Sequence, residues 1–217
     1  MFLRLFFICF SITFFGCREI IPVEEEQNIS GYQINGFVTD ASGNPIESVK
    51  VYLSYDKIKI SSIPLDTVPL YISDPNINVS VDVLNIRNEF VANIFTGNLP
   101  VGPVPRYNWD GEIDSNNFVP SGYYKVVIYF NNQQVKEYPI VIEGNKTAES
   151  NKKGEFFIFN ENLPIGKVYD RYDYLNRYIG TYKIVETVLL ELEYKNIIKR
   201  GYVSLNINKV TKVSITL

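Results

Sequence analysis

Histidine is absent from all 217 residues, and cysteine occurs only twice, at Cys9 and Cys17. Without an imidazole the chain cannot build a serine or cysteine catalytic triad of the usual kind, and zinc sites made from His or several Cys are excluded. Neither charge sign dominates, since 21 basic side chains stand against 24 acidic ones. The chain therefore lacks the basic surface that nucleic acid requires, and we expect no nucleic-acid partner.

Catalysis by carboxylates alone would need two Asp or Glu side chains facing each other across a cleft. The 24 acidic residues are scattered through turns and strand edges, and no spacing fixes such a pair. We therefore expect a protein that is not an enzyme, with no catalytic residues, no metal and no cofactor.

The longest apolar run is residues 1–16, MFLRLFFICFSITFFG, whose one charge is Arg4. It is too short to cross a bilayer as a helix of about 20 residues, and it has the pattern of a signal peptide. Gly16 directly before Cys17 resembles the lipobox of bacterial lipoproteins, in which the Cys is diacylated and becomes the first mature residue. The alternative is an ordinary secretory signal or a short anchor in which Cys17 carries no lipid.

The lipobox resemblance implies a protein attached to the outer membrane through lipid on Cys17. Residues 17–30 contain Pro22 and three consecutive Glu, which predicts a solvated tether with a reach of about 40 Å. Acidic residues soon after the lipidated Cys resemble the surface-export signals of Bacteroidota lipoproteins. A charged linker is also expected without any export role, so the cell surface and the periplasmic face both remain open.

From Tyr32 onward, short β-branched and aromatic runs alternate with Gly, Pro, Asn and Asp, which predicts an all-β protein. Residues 31–55 read as two strands joined by a turn at residues 40–45. This stretch resembles the opening of the carboxypeptidase regulatory-like domain, a transthyretin-like sandwich, through Gly36, Val38, Asp40, Gly43, Pro45, Ile46, Val49 and Val51. Gly43 and Asn44 tolerate positive φ in such a turn. Asp40 is expected to cap its own turn, with calcium ligation as the alternative.

The continuation of that family pattern appears about 90 residues later. It consists of Thr147, Asn151, Gly154, Phe156, Ile158, Leu163, Pro164 and Gly166, followed by closing strands with Tyr202, Val203, Leu205, Ile207, Val210, Val213, Ile215 and Leu217. The resemblance implies a discontinuous domain made of residues 29–60 and 145–217. Val38 and Val51 should then share a sheet or a core with Ile207 and Ile215.

The intervening residues 64–143 resemble the immunoglobulin-like domain of the flagellar hook-capping (FlgD) family. The resemblance rests on Trp109-Asp110-Gly111 and on residues 119–123, VPSGY, which lead into a strand. It implies an immunoglobulin-like sandwich inserted into the transthyretin-like one, with Trp109 packed between the sheets. Asp110, Glu112 and Asp114 suggest calcium, but the residues of an EF-hand loop are missing at the required places, so we interpret them as turn residues.

Residues 167–182 carry five Tyr and two Arg. Exposed Tyr beside Arg stacks on sugars or forms a protein-binding hot spot. The candidate contact residues are Tyr169, Tyr172, Tyr174, Tyr178, Arg171 and Arg177. The alternative is that the rings cover a sandwich edge and that only their polar tips reach water.

The expected function is that of a non-catalytic, envelope-anchored lipoprotein that serves as a structural, adhesion or protein-binding display module. The alternative is a carbohydrate-binding accessory lipoprotein of a polysaccharide-uptake system. In either case the expected partners are the membrane, through the N-terminal lipid, and an envelope protein or a glycan. Both family resemblances concern folds, and a fold by itself does not determine a function.

Overall fold

The computed structural model describes the backbone of residues 23–25 and the whole of residues 29–217. These residues form strands and one short 3₁₀ turn, and α-helix is absent from them. The strands are β1 (Val23–Glu25), β2 (Tyr32–Thr39), β3 (Lys50–Ser61), β4 (Tyr71–Ile72), β5 (Asn78–Asn85), β6 (Phe90–Asn98), β7 (Gly102–Pro103), β8 (Glu112–Asp114), β9 (Asn117–Phe118), β10 (Gly122–Phe130), β11 (Gln133–Ile142), β12 (Lys146–Glu149), β13 (Glu155–Ile158), β14 (Val168–Tyr172), β15 (Tyr178–Tyr194), β16 (Ile197–Ser204) and β17 (Lys209–Thr216). The 3₁₀ turn is Asn160–Asn162.

Two sheets enclose the larger core. Sheet I has the strand order β1-β17-β2-β13, and sheet II has the order β12-β3-β15-β14, with β16 pairing with β15 beside that path. Buried and more exposed side chains alternate along β2 and along the first half of β3, as the period of two requires. The resulting core contains Ile34 and Phe156 from sheet I and Leu53, Leu190 and Leu192 from sheet II. We call residues 29–61 and 146–217 the outer sandwich.

Strand pairing joins the two separated parts of the outer sandwich. β17 lies parallel to β2, with Ile215 opposite Val38, and β15 lies antiparallel to β3. Val38, Val51 and Ile215 belong to one core, as the sequence predicts for them. Ile207 does not belong to it, because it lies in the turn between β16 and β17, where the strand alternation stops, and its side chain is 63% exposed.

Residues 62–145 form a second unit, which we call the inner unit. Its main sheet, sheet III, has the order β11-β10-β5-β6. The second layer is thin, because it consists of the ribbons β4–β7 and β8–β9 and of the loops around them. The core between the layers includes Ile72, Val81, Val126 and Ile128. The fold is therefore all-β, with its sheets arranged as two sandwich-like units.

The turn at residues 40–45 uses its own carboxylate. Asp40 accepts hydrogen bonds from the backbone N–H groups of Ser42 and Asn44 and from the Asn44 side chain. These bonds lower the pKa of Asp40, the Asn44 side chain being the largest cause. Gly43 has φ 85°, whereas Asn44 does not use the positive φ that an Asn tolerates. The hydrogen bonding favours the turn interpretation of Asp40 over calcium ligation.

Part of the expected tether is a strand. β1 pairs antiparallel with β17, with Val23 opposite Lys212 and Glu25 opposite Val210. The expectation of a solvated tether across residues 17–30 is therefore wrong for Val23–Glu25, because the open edge of β17 supplies backbone hydrogen-bond partners there. Cys17 precedes the first paired residue, Val23, by six positions, which limits the distance between them to about 20 Å.

A candidate binding cleft between the two units

The guanidinium of Arg106 lies between two tyrosine rings from different parts of the fold. Its central carbon is 3.9 Å from the ring centre of Tyr138, on β11, and 4.1 Å from that of Tyr172, at the end of β14. Contacts of this kind stabilise a structure by about 0.5–2 kcal/mol, depending on how far they are removed from water. We call Tyr138, Arg106 and Tyr172 the arginine stack. It connects the inner unit to the outer sandwich.

The inner side of the stack is fixed by hydrogen bonds. The Tyr138 hydroxyl donates to the carbonyl oxygen of Tyr107 and accepts from its N–H group, both at 2.9 Å. Burial raises the pKa of Tyr138 to about 12. The phenol is thus held neutral beside the cation, and the loop that carries Arg106 is tied to sheet III.

The outer side of the stack is the turn between β14 and β15. The Asp173 carboxylate accepts from the N–H groups of Leu175 and Arg177 and pairs with the Arg177 guanidinium at 2.7 Å. These partners lower the pKa of Asp173, the backbone bond from Arg177 being the largest cause. Asn176 in the same turn donates to the Arg106 carbonyl at 3.1 Å and accepts from Asn108 at 2.6 Å. The turn between β14 and β15 is therefore hydrogen-bonded to the inner unit through Asn176.

Asp170, on β14, is a buried carboxylate with a structural role. It accepts from the N–H of Leu65 at 2.9 and 3.1 Å and from the Thr181 hydroxyl at 2.6 Å. Leu65 belongs to the segment that leads out of β3 into the inner unit. A buried carboxylate needs such donors to offset the loss of water. Asp170 thereby fixes the connection between the two units to the β14–β15 hairpin.

The arginine stack is the first seam, or line of contacts, between the two units. A second seam joins them near the 3₁₀ turn. The Tyr55 hydroxyl, buried in the outer core, donates to the Asn162 carbonyl at 2.8 Å, and the Asn162 side chain donates to the Ser121 carbonyl at 3.0 Å. Lys57, on β3, and Glu143, directly after β11, form an ion pair between the two units. Burial is the largest cause of the strongly raised pKa of Tyr55. Two separate seams therefore hold the inner unit in one position on the outer sandwich.

An open cleft of about 730 Å³ lies between the units, next to the arginine stack. Its inner wall comes from β6, β11 and the segment around Trp109, and its outer wall from β14 and the turn after it. Aromatic and hydrogen-bonding groups line it together, which is the composition expected of a site for a polar ligand with apolar faces. The lining includes Asn93, Arg106, Asn108, Trp109, Asp110, Glu112, Arg171, Tyr172 and Tyr174.

Trp109 is half-buried at the margin of the inner core. Its ring meets Tyr124 edge to face, at 5.5 Å between centres and 80° between planes, and its indole N–H donates to the Glu112 carbonyl at 2.7 Å. The expectation of a Trp packed between the sheets is met only in part, because the thin second layer leaves the residue half-exposed. One side of the ring packs against the core, and the residue also lines the cleft.

The six candidate contact residues fall into different environments. Tyr169 is 5% exposed and belongs to the outer core, so it does not act as an exposed contact residue. Tyr172 and Tyr178 are half-buried and meet each other edge to face at 5.5 Å. Tyr174 is 90% exposed. Arg171 and Arg177 are exposed as well.

Sequence reasoning therefore found the outer wall of the cleft but missed Arg106 and Asp170. Their signal was weak, because a single Arg and a single Asp occur in many loops without any such role. The Cys17 prediction concerns a residue outside the described part of the chain.

The acidic residues after Trp109 form turn contacts. The Asp110 carboxylate accepts from the Glu112 N–H at 3.0 Å, and the Glu112 carboxylate accepts from the Asn116 N–H at 3.3 Å. Within residues 29–217, no group of three or more His, Cys, Asp or Glu side chains is placed to hold a metal ion. The turn interpretation of Asp110 and Glu112 therefore agrees with their hydrogen bonding.

No protein-family model, no curated protein and no solved structure matches this chain. The two family resemblances therefore stay predictions from the sequence. In the described part of the chain, no helix has the length and apolarity needed to cross a membrane.

Proposed function

We propose that this protein is a non-catalytic, lipid-anchored binding module of the cell envelope, and that the cleft between its two units receives the ligand. The observation that carries the proposal is the cleft itself, which is walled by both units and braced by the arginine stack. Two seams between units limit their relative motion, so little ordering of the protein would be needed when a ligand binds. Lipid on Cys17 would keep the module at the membrane.

The anchor is tested by Cys17→Ser. We expect this variant to leave the membrane fraction and to lose metabolic labelling with palmitate, because a serine does not receive the thioether-linked lipid. Cys9→Ser is the matched control, since Cys9 lies in the segment that the signal peptidase removes. Unchanged membrane partition of Cys17→Ser would contradict the proposed anchor.

The cleft favours a glycan as the specific ligand, which is the alternative that the sequence left open. Trp109 and Tyr174 offer aromatic faces, and Asn93, Asn108 and Arg171 offer hydrogen-bond donors around the same opening. Sugar rings bind to such pairs of apolar faces and polar edges. A carbohydrate-binding accessory role in polysaccharide uptake would use this chemistry without any catalytic group.

Tyr174→Ala tests the glycan proposal with little risk to the fold, because the side chain is 90% exposed. Tyr202→Ala is the control, since Tyr202 is 63% exposed on β16, outside the cleft lining. On a glycan array we expect a signal for the parent protein that falls at least tenfold in Tyr174→Ala and stays in Tyr202→Ala. Equal loss in both variants, or no array signal from the parent, would contradict a glycan ligand.

A further inference from the structure

The outer sandwich has two distinct ends. At one end lie the turn at residues 40–45, the turn at residues 151–154, the β15–β16 turn at Lys195 and Asn196, and the C-terminal Leu217. Pairing brings them together: Leu217 donates its N–H to the Thr39 carbonyl, and the start of β3 pairs with the end of β15. We call this end the turn pole.

The inner unit is attached at the opposite end. β3 runs away from the turn pole and leads into the inner unit after Ser61, and the 3₁₀ turn that contacts Ser121 follows the far end of β13. Within sheet III, β10 starts beside the contact between Asn162 and Ser121 and runs away from the outer sandwich. It ends at Phe130, which pairs with Val79. Ser73, shortly before β5, therefore lies toward the end of the molecule that is farthest from the turn pole.

The direction of β1 shows from which end the chain enters the fold. β1 is antiparallel to β17, so residue numbers rise in β1 as they fall in β17, from Lys212 to Val210. The backbone therefore enters β1 from the side of Thr216, which pairs with Thr39 at the turn pole. A lipid on Cys17, six residues earlier, lies at most about 20 Å from Val23.

We infer that the turn pole is the membrane-facing surface of this protein and that its partner is the headgroup layer of the anchoring bilayer. The inference rests on the proposed lipid at Cys17. The segment from Cys17 to Val23 spans at most about 20 Å. It is therefore shorter than the outer sandwich, since the 17 residues of β15 alone span about 55 Å at 3.3 Å per residue. The bilayer surface consequently meets the turn pole, while the inner unit and the cleft are held on the far side.

This orientation determines what the cleft can reach. Its outer wall is β14 and the following turn, which pair with the first half of β15, remote from the β15–β16 turn. The cleft therefore opens away from the anchoring membrane. Its ligand comes from the space beyond the protein, such as a soluble glycan or a chain on another particle, and is not a lipid of the same leaflet.

The test places one fluorophore at each end of the lipidated protein. The mature lipoprotein would have no free thiol, so Ser42→Cys at the turn pole and Ser73→Cys at the far end each give a single labelling site. Both serines are exposed, and both changes are nearly isosteric. The proteins are reconstituted in phosphatidylethanolamine and phosphatidylglycerol vesicles that carry a nitroxide on the headgroup, and flotation first records that they are membrane-bound.

We expect several-fold stronger quenching of the Ser42→Cys label than of the Ser73→Cys label. Inserting about twelve Gly-Ser residues directly after Cys17 should weaken the quenching of the Ser42→Cys label, because the longer linker no longer holds the turn pole at the headgroups. Equal quenching at both positions, or stronger quenching at Ser73→Cys, would overturn the orientation while leaving the anchor intact. Quenching at Ser42→Cys that does not change with the longer linker would overturn it in the same way. Failure of the lipidated protein to float would overturn the anchor and the orientation together.

Discussion

The outer sandwich and the inner unit bury their apolar residues to different extents. Among the described residues, the outer core has 18 buried members and 8 partly buried ones, whereas the inner core has 11 of each. Two full sheets close the outer core from both sides, and the inner unit has one full sheet with a layer of ribbons and loops. The incomplete cover leaves Trp109 half-exposed, and the same residue lines the cleft. The less complete core thus supplies a wall of the candidate binding site.

The largest difference should appear when the units are separated. Residues 145–217 alone lack β2 and β3, so we expect no cooperative melting, because β15, β17 and β13 lose their pairing partners. Residues 64–143 alone should melt cooperatively by circular dichroism. Joining residues 29–60 to 145–217 through a short Gly-Ser linker should restore a cooperative transition. A cooperative monomeric melt of 145–217 by itself would show that the outer sandwich does not need its first part.

Truncation of one aromatic ring in each unit sharpens the comparison. Phe156 is 1% exposed, and its ring occupies the space that a Cβ at Gly36 would need. Phe156→Ala should lower the free energy of unfolding by about 3–5 kcal/mol, as for a fully buried ring. Trp109→Ala should cost less than about 3 kcal/mol, because the ring is only half-buried. Urea unfolding followed by circular dichroism measures both, and a larger loss for Trp109→Ala would reverse the ranking of the cores.

High pH should destabilise both units through their buried phenols, and the inner unit contributes two of them. Burial raises the pKa of Tyr124 and of Tyr138 to about 12, above the ordinary value of 10.0. A raised pKa means that the fold favours the neutral phenol, so this stabilisation is complete below pH 10 and is lost as the pH rises toward 12. Tyrosinate absorbance should show late-titrating residues together with a falling midpoint for urea unfolding. Tyr138→Phe should remove one late step, and an unchanged titration would contradict the assignment.

The smallest effect concerns the coupling between the units. A double-mutant cycle between Arg106→Lys and Tyr172→Leu should give a coupling of about 0.5–2 kcal/mol, because Lys keeps the charge but not the planar stacking surface. Arg200→Lys, whose ion pair with Glu191 lies on the outer sandwich, is the control and should change stability by less than about 1 kcal/mol. Zero coupling in the cycle would show that the arginine stack does not join the units energetically.

Strand alternation explains which parts of the fold the sequence could predict. Val38, Val51 and Ile215 alternate with more exposed neighbours, and each lies inward as the period of two requires. Ile207 follows the same apparent pattern but lies in a turn, because alternation does not mark where a strand stops. No sequence pattern predicted β1, because this strand forms through pairing with the free edge of β17 and not through the pattern of its own residues.

The candidate site was predictable on one side only. Tyr and Arg are concentrated in residues 167–182, and this local enrichment indicated the hairpin. The residues that complete the cleft, Arg106 and Trp109, come from a loop more than 50 positions away, and local composition does not reveal which loop a hairpin will meet. The same limit applies to Tyr169, because its position in the strand turns it into the core.

By itself, the sequence determined the all-β class, since period-two alternation and turn residues are local properties of the chain. The family resemblance of two separated segments also implied that they share one core, and β2 does pair with β17. Only the tertiary structure decided that Arg106 lies between Tyr138 and Tyr172, that Trp109 borders a cleft, and that β1 enters from the turn pole. These features depend on how separate strands meet in space, and that geometry results from the packing of the whole molecule.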